Sequence, residues 1–178
     1  MMEQTNIDKY FITVIEAVDL LHKNKFMGQA LTIIYSTIDA CGLLDAPDSQ
    51  EKATGSSFKS WVNKYMLEDE SLECNADDLW GARCAVLHTH TSTSDLSKAN
   101  KVREIQYISG PPQHPVVEAF MIASKEIGEG KALGINVDIL VIDFLKAIDK
   151  FSNEFSERAK QSEVCQERAS KILLHFAL

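Results

Sequence analysis

The C-terminal part of the chain contains neither glycine nor proline, the residues that most often end regular structure. This stretch runs from Val137 to Leu178. Along its first half, apolar residues recur in an alternating four-three step, the pattern of a helix that packs lengthwise against a partner. The residues of this seam are Val137, Val141, Phe144, Ile148, Phe151 and Phe155. The stretch therefore predicts one long helix, or two helices separated near Ser162, where the apolar face thins.

The same helical period recurs through the rest of the chain. The first helix has Asn6 as its N-cap, the second stops at Gly42, and the third opens at Ser56 or Ser57. Together with two later helices they make five before residue 137. We expect these five helices over residues 7–21, 27–41, 58–65, 77–90 and 116–127. A polar loop follows the fourth helix, and the alternation in VREIQYI predicts a short extended segment after that loop. Residues 128–136 predict only a loop that ends the fifth helix.

The length and composition fit a single helical domain. The chain has 178 residues, of which 45% are hydrophobic and 25% charged, and this is enough to bury a core without disulfides. We therefore predict an all-α bundle of about five to seven helices, with one domain spanning residues 1–178. Asp138 and Asp143 interrupt the richest apolar stretch short of the roughly 20 residues that a membrane span needs. With no secretory signal at the N-terminus and no Cys-x-x-Cys pair, the chain is expected in the cytoplasm, without membrane association.

One side chain interrupts the apolar face of the fourth helix. At about 100° per residue, Leu79, Ala82 and Val86 define this face, and Arg83 falls in its middle. A guanidinium in that position has to pair with a carboxylate, reach solvent, or face another chain or a ligand, because burying it alone is very costly. His88 follows five residues later. The two residues therefore mark the fourth helix as the candidate functional element.

The region around this helix is basic, although the chain as a whole is acidic. The net charge of the chain is −8, which argues against broad, non-specific coating of nucleic acid. Residues 80–110 nevertheless carry four cations against two carboxylates, a local charge of +2, beside the hydroxyl-rich segment TSTS. Positive charge and hydroxyl groups suit a phosphate site. The predicted phosphate contacts are His90, Lys98, Lys101 and Arg103.

The segment from Arg83 to His88 resembles the Arg-x4-His motif of the HEPN superfamily, whose members are all-helical proteins of about this size. The longer run LWGARCAVLHTHTSTSDLSKANKVREIQY is similar to the motif region of an uncharacterised bacterial HEPN-like group. In that family the motif lies on a late bundle helix behind an acidic or polar cap, as it does here. The resemblance therefore implies a HEPN-like bundle, and only this stretch matches residue by residue.

The resemblance also implies an activity. Catalytic HEPN proteins are metal-independent endoribonucleases that act as dimers, with the two motifs meeting in a cleft between protomers. By that resemblance His88 would be the general base for the 2′-hydroxyl or the acid for the leaving 5′-oxygen, and Arg83 would hold the scissile phosphate. The expected partners are RNA, a second copy of the chain, and a cognate antitoxin or other protein in a defence, toxin–antitoxin or stress context. No cofactor and no metal are expected.

Several alternatives stay open. His88 and His90 have the spacing of some metal sites, and Cys84 lies one turn before His88, where a thiolate–imidazole pair could form. In one HEPN branch a tyrosine that accepts nucleotide groups stands where this chain has His90, so that role is not supported. The main alternative is a non-catalytic helical module in which Arg83 is a structural residue of a dimer interface. The position of Arg83 and the seam from Val137 to Phe155 both predict a homodimer.

Overall fold

The computed structural model describes residues 6–69, 71–127 and 129–172. Eight α-helices, a π-helical turn and two strands make up this part of the chain. Their order is α1 (Asn6–Lys23), α2 (Met27–Asp45), α3 (Gly55–Trp61) with a π-helical turn (Val62–Met66), α4 (Ala76–Thr89), α5 (Asp95–Lys98), β1 (Glu104–Ile108), α6 (Pro115–Ile127), β2 (Ala132–Asn136), α7 (Val137–Ala159) and α8 (Glu163–Ser170).

The helices form a bundle in which α2 and α7 are the most widely connected elements. Helix α2 packs against α1, α3, α4 and α7, and α7 also contacts the π-helical turn and α8. The predicted helical bundle is therefore confirmed. The described residues contain one helix more than the upper end of the predicted count, because α8 is separate from α7 and residues 95–98 form a helical turn of their own.

Aromatic rings tie α1, α3 and α7 together in the core. The ring of Phe151 lies in the centre of this cluster, with centroid distances of 5.7 Å to Phe11, 5.7 Å to Trp61 and 5.2 Å to Tyr65. All three contacts are edge-to-face, the geometry that aromatic pairs prefer.

The apolar seam of α7 is buried inside this bundle. All six of its residues, from Val137 to Phe155, are 1% exposed or less. The four-three step therefore did predict a packed helix, but the partner is the chain's own core. The seam offers no surface to a second copy, so it does not support the predicted homodimer.

A two-stranded parallel sheet corrects the all-α expectation. Strand β1 lies within the predicted extended segment, whereas β2 falls in residues that were predicted to be a loop. The register pairs Glu104 with Ala132 and Ile108 with Asn136, and α6 forms the crossover between the strands. Four of the five β2 residues are buried. Both faces of β2 are therefore covered, so its sequence lacks the alternation of a half-exposed strand.

Side-chain caps mark the starts of five of the described helices. Thr54 caps α3 in a capping box with Ser57, so the cap lies before the predicted serines. Ser162 caps α8, which resolves the C-terminal stretch into two helices within the described residues; the last six residues, 173–178, lie outside them. Gly42 does not stop α2. A Cβ atom there would lie 2.8 Å from the backbone oxygen of Ser57, so this glycine permits close packing of α2 and α3.

Helix α2 is long and apolar enough, by length and composition alone, to cross a membrane. Half of its most apolar window is buried in the bundle, and core helices of soluble proteins pass the same test. The helix also carries Asp39, which pairs with Arg83 of α4. The expected absence of a membrane span and the cytoplasmic location therefore remain predictions.

Candidate functional site

Helix α4 carries the candidate residues and is fixed at both ends. At its start, the Asn75 side chain accepts a hydrogen bond from the backbone N–H of Asp78, and the Asp78 carboxylate accepts one from the backbone N–H of Asn75. At its end, His90 adopts a left-handed conformation with φ 52° and its N–H bonds back to the helix. Along its middle, Gly81 lets Val102 approach so closely that a Cβ atom would lie 2.5 Å from the valine methyl group. The polar loop after α4 therefore folds back along the helix.

The guanidinium of Arg83 is bound by a carboxylate of the same chain. Its Nε and Nη2 atoms donate to Oδ2 of Asp39 on α2, at 2.8 and 2.5 Å. The two side chains are 19% and 17% exposed, so the pair is largely shielded from water. Trp80 lies on one side of the guanidinium, 5.1 Å from ring centroid to Cζ. Arg83 is thus paired with a carboxylate of its own bundle, the first of the possibilities that its place on an apolar face left open.

The pKa of Arg83 reflects this setting. Burial opposes the charged form, but the hydrogen bond and the attraction of Asp39 outweigh that effect and raise the pKa of Arg83 above its ordinary value. The side chain of Cys84 contributes in the same direction. The guanidinium therefore carries a fixed positive charge held in one orientation.

His88 lies directly beside Arg83. Its Nε2 atom is 3.3 Å from Nη1 of Arg83, and its ring is exposed to solvent. Because an arginine can only donate, the contact requires Nε2 to be the acceptor, which places the proton of a neutral ring on Nδ1. On an ideal helix the two Cα positions are about 140° apart, yet the long arginine side chain bends round the helix and closes the gap. One chain therefore brings both motif residues together at its surface.

The structure separates the four predicted phosphate contacts into three places. His90 lies at the end of α4 and lines a hollow of about 230 Å³ with Leu31, Val86, Tyr107 and others. Lys98 lies on the exposed helix α5, 3.8 Å from Asp95. Lys101 and Arg103 line a cavity of about 250 Å³ beside the start of α4.

Arg103 is held by a buried carboxylate. Its Nε and Nη2 atoms donate to Oδ2 of Asp78 at 3.0 and 2.5 Å, and its backbone N–H donates to Oδ1 at 2.9 Å. Nη2 also donates to the carbonyl of Glu73. The hydrogen bond to Asp78 raises the pKa of Arg103, although burial opposes it. Arg103 thus has a structural role, because it joins the start of β1 to α4.

The hydroxyl groups of the TSTS segment are engaged within the fold. Ser92 and Thr93 both donate to the carboxylate of Glu104, each at 2.9 Å. Ser94 caps α5. These hydroxyls therefore shape the loop after α4 and are not directed together at an open site, which differs from the expectation drawn from composition.

The sequence did not identify Asp39 or Lys131 as candidate site residues. Asp39 is the only charged residue of α2 before Asp45 at its C-terminal end, and that isolation in an apolar helix was the available signal. Lys131 lines the same cavity as Lys101 and Arg103. Nothing in the sequence distinguishes Lys131 from other loop lysines, because residues 128–136 predict only a loop and not a strand that would bring it near Arg103.

No group of three or more His, Cys, Asp or Glu side chains that could hold a metal ion occurs among the described residues. His88 and His90 accordingly lack a third ligand within this part of the chain. In comparisons with known proteins, no family model, curated protein or solved structure matches the chain.

Proposed function

We propose that this chain is a HEPN-like RNA-binding protein that cleaves RNA without a metal ion, using Arg83 and His88. The observation that carries the proposal is the 3.3 Å contact between Nη1 of Arg83 and Nε2 of His88 at the protein surface. A permanent cation next to an imidazole brings together a phosphate ligand and one general acid or base, the groups that cleavage through the 2′-hydroxyl of RNA uses.

The chemistry assigns each group a step. When Nη1 of Arg83 turns from His88 to the phosphate, the lone pair on Nε2 of His88 is free to take the proton of a 2′-hydroxyl, and the 2′-oxygen attacks the adjacent phosphorus. The bond to the 5′-oxygen breaks and that oxygen takes up a proton, which leaves a 2′,3′-cyclic phosphate and a 5′-hydroxyl. Arg83 binds a non-bridging oxygen and stabilises the charge that develops on phosphorus. Asp39 is a positioning residue, because it holds the guanidinium from the edge away from His88.

The proposal includes a homodimer. One protomer places one imidazole at its Arg83, whereas cleavage needs both a base and an acid. A second copy would supply the other imidazole across a symmetric interface. The association with a cognate antitoxin or other partner, and a role in defence, toxin–antitoxin systems or stress, follow from the resemblance and belong to the same proposal.

The test is cleavage of a single-stranded RNA by the purified protein in EDTA, compared with His88→Ala. We expect the loss of His88 to slow cleavage by about 10²-fold or more, in the range of general acid–base catalysis. His114→Ala is the matched control, because this exposed histidine lies at the start of α6. Absence of cleavage, or equal rates for wild type and His88→Ala, would remove the enzymatic proposal.

A second candidate is the non-catalytic helical module, with the difference that Arg83 pairs with Asp39 of its own chain and not across a dimer interface. In that function Arg83 stabilises the packing of α2 on α4, and His88 is an exposed helix-end residue. The protein would then bind no RNA even at low salt, and Arg83→Ala would lower its melting temperature without any other change. RNA affinity in the wild-type protein therefore distinguishes the two functions.

A further inference from the structure

A basic cavity lies beside the start of α4, away from His90 at the end of the helix. Its volume is about 250 Å³. Loop residues before β1 form one wall and the turn before β2 forms the other. The lining residues are Asn75, Asp78, Asn100, Lys101, Val102, Arg103, Gly130 and Lys131.

The parallel sheet brings the two walls together. Glu104 is paired with Ala132, and the backbone N–H of Glu104 donates to the carbonyl of Lys131 at 2.8 Å. The residues that precede the two strands, Arg103 and Lys131, therefore lie side by side at the amino ends of the strands. Lys101 and Lys131 are thirty positions apart in the sequence and face one cavity because of this pairing.

The charge inside the cavity is positive and partly unpaired. Nε and Nη2 of Arg103 are held by Asp78, while its Nη1 makes no hydrogen bond within the described residues. The ammonium groups of Lys101 and Lys131 are exposed and form no ion pair in the part of the chain that the structure covers. Three cations therefore face one carboxylate, a lining charge of +2 in a chain of −8.

We propose that this cavity is a phosphate-binding site, with Arg103, Lys101 and Lys131 as its ligands. Asp78 holds the guanidinium of Arg103 in place and leaves its Nη1 atom free, so a permanently charged donor is already oriented for a phosphate oxygen. The two lysines supply point charges from opposite walls. The cavity is larger than a phosphate group, which leaves room for an attached sugar.

The site stands without the proposed catalysis. It rests on the proposed function only for the source of the phosphate, which would be the backbone of an RNA strand. A free phosphate ion and a mononucleotide carry the same group and would bind to the same cations. Lys131 is the decisive residue, because it is exposed, lies outside the motif helix and is not needed for the Arg103–Asp78 pair.

The first experiment is an NMR titration of the full ¹⁵N-labelled chain with inorganic phosphate at low ionic strength. We expect saturable shifts at the amides of residues 100–103 and 130–132. Lys131→Gln should weaken binding about tenfold, because hydrogen bonds to charged groups contribute more than neutral ones. Lys9→Gln, which removes an exposed lysine on α1, is the control for the change in net charge and should leave the affinity unchanged.

The second experiment uses a short 2′-O-methyl RNA, which lacks the attacking hydroxyl and is not cleaved. A plot of the logarithm of the binding constant against the logarithm of the salt concentration has a negative slope. In Lys131→Gln this slope should be less steep by about 0.7, the value for one lost phosphate contact on a single strand. Saturable phosphate binding without binding of the RNA would keep the site and overturn RNA as its source. Equal affinities of Lys131→Gln and Lys9→Gln for phosphate would overturn the site itself, even if His88-dependent cleavage is observed.

Discussion

The pair between Asp39 and Arg83 should contribute measurably to the stability of the bundle. The perturbation is a double-mutant cycle with Asp39→Ala, Arg83→Ala and both together. Exposed ion pairs contribute about 0–1 kcal/mol, and breaking a fully buried pair costs about 3–5 kcal/mol. With side chains 19% and 17% exposed and two hydrogen bonds to one oxygen, this pair lies between those limits. We expect each single variant to lose about 2 kcal/mol.

The assay is equilibrium unfolding in urea, with melting temperatures as a second readout. For a chain of this length a loss of about 2 kcal/mol corresponds to a decrease of about 4–8 °C. The coupling energy should be about 1–2 kcal/mol, because each single variant leaves the other charge without its partner. The exposed pair of Asp19 and Lys23 on α1 is the matched reference, for which about 0.3–0.5 kcal/mol is expected. A coupling energy for Asp39 and Arg83 no larger than that reference would refute the reasoning.

Three further changes test the fold. Gly42→Ala should cost about 1–3 kcal/mol in urea unfolding, because its Cβ atom would meet the α3 backbone at 2.8 Å. Asp78→Asn should cost about 3 kcal/mol in the same assay, since its carboxylate is 2% exposed and holds Arg103. Burial opposes ionisation of Asp138, but hydrogen bonds led by that from His22 lower its pKa. The stability that ionised Asp138 contributes is lost as the pH falls below about 4. The melting temperature of Asp138→Asn should therefore decrease less steeply than that of the wild type when the pH is lowered through this range.

The helical period was the part of the fold that the sequence could predict. Where a helix covers one face of the core, as α7 does with its seam from Val137 to Phe155, the spacing of apolar residues reports burial directly. The same information does not say what covers that face. The seam alone is equally compatible with a second copy of the chain, whereas in the structure α1, α2 and the π-helical turn of the same chain cover it.

The second strand could not be predicted because it lacks any periodic signal. Residues 132–136 are few, follow two glycines and are buried on both faces, so neither alternation nor a polar face distinguishes them. Gly42 shows a similar ambiguity. A glycine near the end of a helical stripe is typical of a stop, and only the packing of α3 shows that this one serves close approach.

The candidate site was predictable in its residues but not in its contacts. Arg83 and His88 were identified from their spacing on one helix, because an arginine on an apolar face demands a partner. The identity of that partner was not visible, since Asp39 lies on another helix and 44 positions away in sequence. The spacing of Arg83 and His88 could not predict their contact either, because the angle of about 140° on an ideal helix ignores the reach of the arginine side chain.

The two proposed functions differ in what Asp39 does to the guanidinium. Asp39 binds the edge formed by Nε and Nη2, whereas Nη1 points at His88. A phosphate on the Nη1 side would lie nearer to the cation than to the carboxylate, so attraction exceeds repulsion there. Asp39 can thus stabilise the bundle and orient Arg83 at once. Because Arg83 and His88 both lie on α4, the imidazole of a second copy reaches this edge only if α4 itself lies beside the symmetry axis of a dimer.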